Sequence, residues 1–225
     1  MRIISQARQI MKIKIYGERN SCNNYMIKLL DTNTEVESVW DMHTKAIYGW
    51  THGEPIPCDE ANHLGINFII MVKNPYSWLL SLHTTPHKTR FLRNKIKRKT
   101  FYDFLSTPFD FFRNPILLYN KRIAVYLTFA KFVKRCILIR SEDLIADSQK
   151  ELDRVIKQFE LKKSEHYYTD YLMRINSGGK TTTTIFDRKF YLEEHWRERF
   201  RSKHIELINK YLNWTNFEKL DYERL

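Results

Sequence analysis

The chain has 225 residues, of which 43% are hydrophobic and 14% aromatic, while glycine and proline number only six each. This composition argues against a disordered chain, and the length fits a single domain over residues 1–225 better than two full domains. The net charge of +12 favours an anionic ligand or substrate. No apolar run reaches the roughly 20 residues that span a bilayer. Since the first ten residues also lack the apolar core of a signal peptide, we expect a soluble, cytoplasmic protein without a membrane span.

The first half of the chain predicts strands that alternate with helices. Residues 12–16 predict a strand, and apolar side chains at helical spacing predict a helix over 22–30. A second strand is predicted over 46–51. Residues 67–72 are continuously apolar and predict a third strand, after which Pro75 suits the first turn of a helix.

The second half continues this alternation. The predicted elements are a basic connector over 85–100, helices over 101–105, 116–132 and 149–159, a strand over 135–140, a loop rich in Gly, Ser and Thr over 174–184, and one long terminal helix over 189–212. Strands that alternate with helices predict an α/β fold with a mostly parallel central sheet of four or five strands flanked by helices.

The cysteines give little information about function. Cys22, Cys58 and Cys136 are odd in number and lack the paired spacings of a zinc site, so no metal is expected. Cys136 is predicted to be a strand residue. Cys22 precedes a predicted helix, where it is either a reactive thiol or, with better support, a small residue that the turn tolerates.

A basic segment lies in the middle of the chain. No acidic residue occurs between Glu60 and Asp103, whereas residues 88–99 are rich in lysine and arginine. Three interpretations are open for such a segment: a cationic rim that attracts an anionic small molecule or substrate, a solvated loop, or a nucleic-acid surface. We favour these in that order, because the segment contains no metal-finger spacing and no aromatic-glycine motif of an RNA binder.

Two junctions between a strand and a helix have a composition suited to anions. Residues 17–25 read GERNSCNNY after the first predicted strand, and residues 73–81 read KNPYSWLLS after the third. Backbone N–H groups and the N-terminus of a helix at such a junction point towards an anion above the carboxyl end of the strand. Two junctions therefore predict a ligand with two separate phosphate-like groups.

Four segments, in this order, resemble those of the sulfotransferases, which are α/β enzymes with a P-loop-like fold. Residues 17–25 resemble a first loop written G-x-R-N-S-G-T-N-Y in one branch, and residues 50–55 resemble the strand end that presents the catalytic histidine. Residues 73–81 match a basic residue, Asn-Pro and a serine eight positions later, and residues 139–144 resemble the segment Arg-Tyr-Glu-Asp-Leu. The resemblance implies a three-layer P-loop-like fold and the donor 3′-phosphoadenosine 5′-phosphosulfate (PAPS).

The resemblance also implies roles for individual residues. His52 would be the catalytic base, since its ordinary pKa lies near neutrality, and Arg19 would stabilise the leaving group. Lys73 and Ser81 would bind the 3′-phosphate. The 5′-phosphosulfate would be bound by residues of the first loop, namely Arg19, Asn20, Ser21, Cys22, Asn23 and Asn24. The acceptor would be a hydroxyl or amine of a small molecule or a glycan, anionic ones included.

The first loop departs from the family pattern. Asn20 stands where many relatives have lysine, while Cys22 and Asn23 replace glycine and threonine. A Cβ at position 22 is expected to crowd a turn built for glycine. These departures leave open an enzyme of reduced activity.

Two other functions compete with this interpretation. A P-loop nucleotide phosphotransferase would need Gly-x-x-x-x-Gly-Lys-Ser/Thr, which the chain lacks. A non-enzymatic binder of nucleic acid or another polyanion would use residues 88–99. Residues 174–180 are either a loop that closes over the 3′-phosphate or a plain connection.

Overall fold

The computed structural model describes residues 11–45, 48–55, 65–86, 90–175 and 180–225. At its centre lies a three-stranded parallel sheet in the order β1 (Lys12–Gly17), β2 (Ile66–Val72) and β3 (Cys136–Arg140). Ile15 is paired with Ile69, which in turn is paired with Ile137. The predicted α/β class, with a parallel sheet flanked by helices, is confirmed.

Helices follow each of the three strands. They are α1 (Asn23–Asn33), α2 (Val39–Thr44), α3 (Pro75–Thr84), α4 (Arg90–Lys97), α5 (Phe101–Ser106), α6 (Pro115–Phe132), α7 (Ser141–Ala146), α8 (Ser148–Phe159), α9 (Lys189–Leu192), α10 (Ser202–Tyr211) and α11 (Trp214–Glu218), with a 3₁₀ helix at His195–Arg199. A separate antiparallel pair consists of β4 (Met173–Ile175) and β5 (Thr181–Ile185). No helix among these described residues is long and apolar enough to cross a membrane.

The sheet separates two hydrophobic cores. Phe68 and Ile70 of β2 pack into the core formed with α3 and α6. Ile69 and Met71, which point the other way, pack into the core formed with α1 and α8. Burial on both faces explains why β2 is apolar at nearly every position, and each large side chain contributes about 1.5–3 kcal/mol. The loops at the carboxyl edge of the sheet are thus built on a rigid base.

The prediction of four or five strands in this sheet is wrong in number, because the described sheet has three. Residues 46 and 47 of the predicted second strand lie outside the described residues, and residues 48–51 form turns and a bend. Tyr48 has φ 59° and Gly49 has φ 89°, values that are incompatible with an extended strand.

The single terminal helix predicted over 189–212 is also wrong. The helical conformation ends after α9, where Glu194 adopts φ 53°. The chain then continues through the 3₁₀ helix into α10. The break buries Trp196, whose ring centroid lies 6.2 Å from that of Tyr76. Burial of a large aromatic side chain outweighs the local preference for a continuous helix.

Two predicted connections contain regular structure. The predicted loop over 174–184 holds part of β4 and most of β5, consistent with the β preference of its threonines. Residues 176–179 lie outside the described residues. The basic connector over 85–100 contains α4, and residues 87–89 before it are outside the described part as well.

Candidate functional site

A cavity of about 960 Å³ opens at the carboxyl edge of the sheet, where β1 and β2 end. Eight of the nine site residues predicted from the sequence line it, and they come from three separate segments: Arg19, Asn20, Cys22, Asn23, Asn24, His52, Lys73 and Ser81. The ninth, Ser21, belongs to the first loop but is buried, with 1% of its surface exposed, and does not line the cavity. The fold therefore brings together residues that are up to 62 positions apart in the sequence, from Arg19 to Ser81.

The first loop closes tightly over the end of β1. A Cβ added to Gly17 would lie 2.4 Å from Asn23 Oδ1 and 2.9 Å from the carbonyl oxygen of Met71, so only glycine fits there. Asn23 Nδ2 donates a hydrogen bond to Gly17 O at 2.8 Å. Asn23 thus braces the loop against the strand, although it replaces the threonine of the family pattern.

Cys22 takes a backbone conformation that glycine adopts more easily. Its φ is 60°, and Asn20 nearby has φ 66°. A left-handed conformation costs a non-glycine residue about 1 kcal/mol, which is the expected consequence of a Cβ at position 22. Burial raises the pKa of the Cys22 thiol to about 11, which favours the alternative of a small residue that the turn tolerates over that of a reactive thiol.

The N-terminus of α1 is open towards the cavity. No side chain caps it and its first turn contains no acidic residue, while Cys22, Asn23, Asn24 and Tyr25 line the cavity. Ser21 Oγ is buried and has no hydrogen-bond partner among the described residues. Uncapped N–H groups with a hydroxyl donor in the same loop fit an anion.

The second junction differs from the first. Asn74 caps α3, because its side chain accepts hydrogen bonds from the backbone nitrogens of Tyr76 at 3.0 Å and Ser77 at 3.3 Å. The expectation that both junctions offer an open helix N-terminus therefore holds only for α1.

Lys73 provides the cationic group at the second junction. Its side chain is buried, and Nζ donates to Ser81 Oγ at 2.9 Å and to Asn20 O at 3.2 Å. The predicted pair of Lys73 and Ser81 thus forms, two helical turns apart, and it also contacts the first loop. Nζ lies 4.4 Å from the centre of the Tyr191 ring, and Tyr119 Oη donates to Lys73 O at 2.6 Å.

His52 is hydrogen-bonded to the end of β1, where the first loop begins. Its Nδ1 lies 2.7 Å from Gly17 O. A carbonyl oxygen only accepts hydrogen bonds, so Nδ1 donates to it, and in the neutral ring Nε2 then carries the lone pair. Asn23 Nδ2 also lies 3.2 Å from Nδ1. In addition, Gly17 N donates to Thr51 O at 3.0 Å. The contact with Gly17 O therefore favours the neutral tautomer in which Nε2 can accept a proton.

The walls of the cavity are cationic. Asp187 is the one carboxylate among the described lining residues, against four cations, Arg19, Lys73, Arg174 and Arg199. The Arg19 guanidinium lies 4.8 Å from the centre of the Trp50 ring, whose centroid is 5.3 Å from that of His52. Trp50 is thus a shared neighbour of the two residues predicted to be catalytic. This arrangement suits an anionic ligand.

Residues 139–144, the fourth segment of the resemblance, form hydrogen bonds to the second junction outside the cavity. Ser141 Oγ donates to Val72 O at 2.8 Å. Glu142 accepts hydrogen bonds from Asn74 N through Oε1 and from Tyr222 Oη through Oε2, both at 2.9 Å. These residues hold the end of β2 and the start of α3, and none of them lines the cavity.

Several site residues were not predicted from the sequence. Trp78 Nε1 donates to Arg19 O at 2.9 Å, but its helical position predicts only a core residue. Tyr191 and Arg199 come from the segment predicted as a continuous helix, which gives no signal for them. Within the described part of the chain, no group of three or more His, Cys, Asp or Glu is arranged to hold a metal ion.

Comparison with protein-family models and with curated proteins returned no match for this chain.

Proposed function

We propose that the protein is a sulfotransferase that moves a sulfuryl group from PAPS to a hydroxyl or amine acceptor, in a single three-layer domain of P-loop-like type. One observation carries the proposal. Predicted residues from three separate segments line one cationic cavity at the carboxyl edge of a parallel sheet, where α/β proteins bind their ligands.

The residues present fit a ligand with two anionic groups. Arg19, the open N-terminus of α1 and the donors of residues 20–24 suit the 5′-phosphosulfate. Ser21 belongs to the same loop, and its buried hydroxyl is a further donor without a partner among the described residues. Lys73 Nζ and Ser81 Oγ, 2.9 Å apart, suit the 3′-phosphate. PAPS, when bound, supplies the activated sulfuryl group.

The side chains at the cavity also suit the transfer itself. An acceptor hydroxyl forms a bond to sulfur while the bond between sulfur and the 5′-phosphate oxygen breaks. His52 Nε2 takes the acceptor proton, because Nδ1 already donates to Gly17 O. The Arg19 guanidinium stabilises the charge that grows on the leaving phosphate. No step requires a metal ion.

Binding of 3′-phosphoadenosine 5′-phosphate, measured by thermal shift and by calorimetry, tests the proposal. We expect it to stabilise the protein, whereas AMP and ATP with Mg²⁺ do not. Lys73→Ala should weaken binding of the bisphosphate about tenfold or more, the loss expected for a charge-assisted contact. Lys12→Ala is the control, since Lys12 is exposed on β1.

Other outcomes would favour the rival functions. A larger shift with ATP and Mg²⁺ than with the bisphosphate would support a phosphotransferase. No shift with millimolar bisphosphate would overturn the proposal, and tight, salt-sensitive binding of DNA would then favour a polyanion-binding protein.

A further inference from the structure

Lys14 is a buried cation that the proposed reaction does not use. It lies in β1 with 1% of its surface exposed, between Ile13 and Ile15, which are also buried. Among the described residues, no carboxylate forms an ion pair with it, and burial lowers its pKa from 10.5 to about 8. Burying an ammonium group without a counter-ion is unfavourable, so an apolar side chain would be expected at this position.

The three acceptors of the ammonium group belong to one stretch of the chain. Nζ donates to Gly49 O at 2.7 Å and to Met42 O at 3.3 Å, and it lies 3.5 Å from Thr51 Oγ1. An ammonium group has three donors, and each of these is directed to residues 42–51. Lys14 thus connects the end of α2 with the turn that carries His52.

This stretch has little regular structure to hold it in place. After α2 ends at Thr44, the described residues up to Pro55 form turns, bends and irregular backbone. Thr51 is fully buried. Its Oγ1 lies 2.9 Å from His43 Nδ1, and its carbonyl oxygen accepts from Gly17 N. The backbone that precedes His52 is therefore held by hydrogen bonds from Lys14 and from Gly17 at the end of β1.

We propose that Lys14 is a positioning residue that holds the turn bearing His52, so that His52 Nδ1 meets Gly17 O and Nε2 keeps its lone pair. Lys14 is not among the residues that line the cavity, so it acts through residues 49–52 without touching substrate. The catalytic part of this inference rests on the proposed function, whereas the positioning part concerns the structure alone.

Replacement of Lys14 by methionine tests the inference, because methionine retains a long apolar side chain and removes the donors. Lys12→Met is the matched control: Lys12 lies two positions earlier on the same strand, with 47% of its side chain exposed and a long ion pair to Glu37 at 3.9 Å. The first readout is the tautomer of His52, measured by ¹⁵N NMR of the histidine rings and assigned with His52→Gln. The second readout is kcat for sulfuryl transfer alongside the Kd for 3′-phosphoadenosine 5′-phosphate.

We expect wild type and Lys12→Met to show a His52 ring protonated at Nδ1, and Lys14→Met to show an average of both tautomers. We also expect Lys14→Met to lose about tenfold or more in kcat, as misplacement of a base does, while nucleotide affinity is retained. A fixed tautomer in folded Lys14→Met would overturn the inference.

Two further arms keep the test decisive. If Lys14→Met does not fold, folded Lys14→Gln takes its place, because the glutamine side chain is neutral and one atom shorter than that of lysine. An averaged His52 tautomer in this variant supports the inference and a fixed one overturns it. If the wild type binds no bisphosphate, the proposed function fails, but the NMR readout still decides whether Lys14 positions His52.

Discussion

At the scale of single residues, the site depends on the conformation of a few atoms around Gly17. Its carbonyl oxygen accepts hydrogen bonds from Asn23 Nδ2 and His52 Nδ1, and its amide donates to Thr51 O. The absence of a side chain at position 17 allows Asn23 to approach this closely. One glycine thereby links the first loop and the proposed base to the end of the same strand.

His52→Ala tests the role of the base. We expect the rate of sulfuryl transfer to fall by about 10²–10⁴, the usual contribution of a general base, while the affinity for 3′-phosphoadenosine 5′-phosphate stays within about twofold of wild type. Single-turnover transfer of labelled sulfate and calorimetry measure the two effects. A variant that transfers at the wild-type rate would show that His52 is not the base.

The thiol of Cys22 allows a second prediction at this scale. A pKa of about 11 leaves a thiolate fraction at pH 8 that is on the order of 100-fold below that of a free cysteine of pKa 8.5. We expect alkylation by iodoacetamide to be slower by this factor in the folded protein, and to recover in denaturant. Peptide mapping by mass spectrometry separates Cys22 from the other cysteines. Labelling of folded Cys22 as fast as free cysteine would contradict the raised pKa of its thiol.

At the scale of secondary structure elements, α6 is tied to two of the loops at the site. Arg122 Nε donates to Glu18 Oε1 at 2.7 Å, and its Nη1 donates to Glu54 Oε1 at 3.3 Å. Glu18 lies in the first loop, with 7% of its surface exposed, and Glu54 lies two positions after His52. The ion pair to Glu18 is thus nearly buried, whereas 47% of the Glu54 side chain is exposed.

Arg122→Gln is expected to destabilise the protein by about 3 kcal/mol, because it leaves the carboxylate of Glu18 buried without its partner. The matched variant Glu54→Gln removes the exposed pair and should cost at most about 1 kcal/mol. The free energy of unfolding in urea measures both. Equal losses of stability in the two variants would show that burial of Glu18 does not increase the contribution of its ion pair with Arg122.

The pH dependence of this loss follows from the pKa of Glu18. Burial raises this pKa above its ordinary value, while Arg122 opposes the rise. Removal of Arg122 therefore raises it further, so the folded state binds a proton more tightly than the unfolded state, and stability increases as pH falls. We expect the loss of stability of Arg122→Gln relative to wild type, measured by urea unfolding, to become smaller as the pH is lowered from 7 to 5.

Elements with strong local signals were predictable from the sequence. The apolar run of β2 and the start of α3, with Asn74 as the cap and Pro75 in the first turn, need no distant contact to specify them. The terminal segment breaks because Trp196 is buried against Tyr76, a contact between residues 120 positions apart. The same distinction holds within the site: Lys73 and Ser81 meet because they are two helical turns apart, whereas Tyr191 reaches Lys73 only through the tertiary fold.

At the scale of the whole molecule, the net charge of +12 is unevenly distributed. The cations Arg93, Lys95, Lys97 and Arg98 on and just after α4 are exposed, and no described carboxylate forms an ion pair with them. Thr84, the last residue of α3, and Thr85, which follows it, line the cavity. An exposed cationic helix that follows a cavity-lining segment in the chain favours capture of an anionic acceptor, with a solvated helix as the simpler alternative.

Charge reversal on α4 distinguishes these alternatives. We expect Arg93→Glu/Lys97→Glu to weaken binding of a fluorescent sulfated heparin oligosaccharide by about tenfold at low salt, and to reduce the salt dependence of binding. Binding of 3′-phosphoadenosine 5′-phosphate should not change, because neither residue lines the cavity. The matched control is Lys150→Glu/Lys157→Glu, which reverses two exposed charges on α8 against the other core. Since both double variants lower the net charge equally, equal loss of binding would assign the effect to overall charge, and α4 would be a solvated helix. Loss confined to the α4 variant would make this helix the entry surface for anionic acceptors.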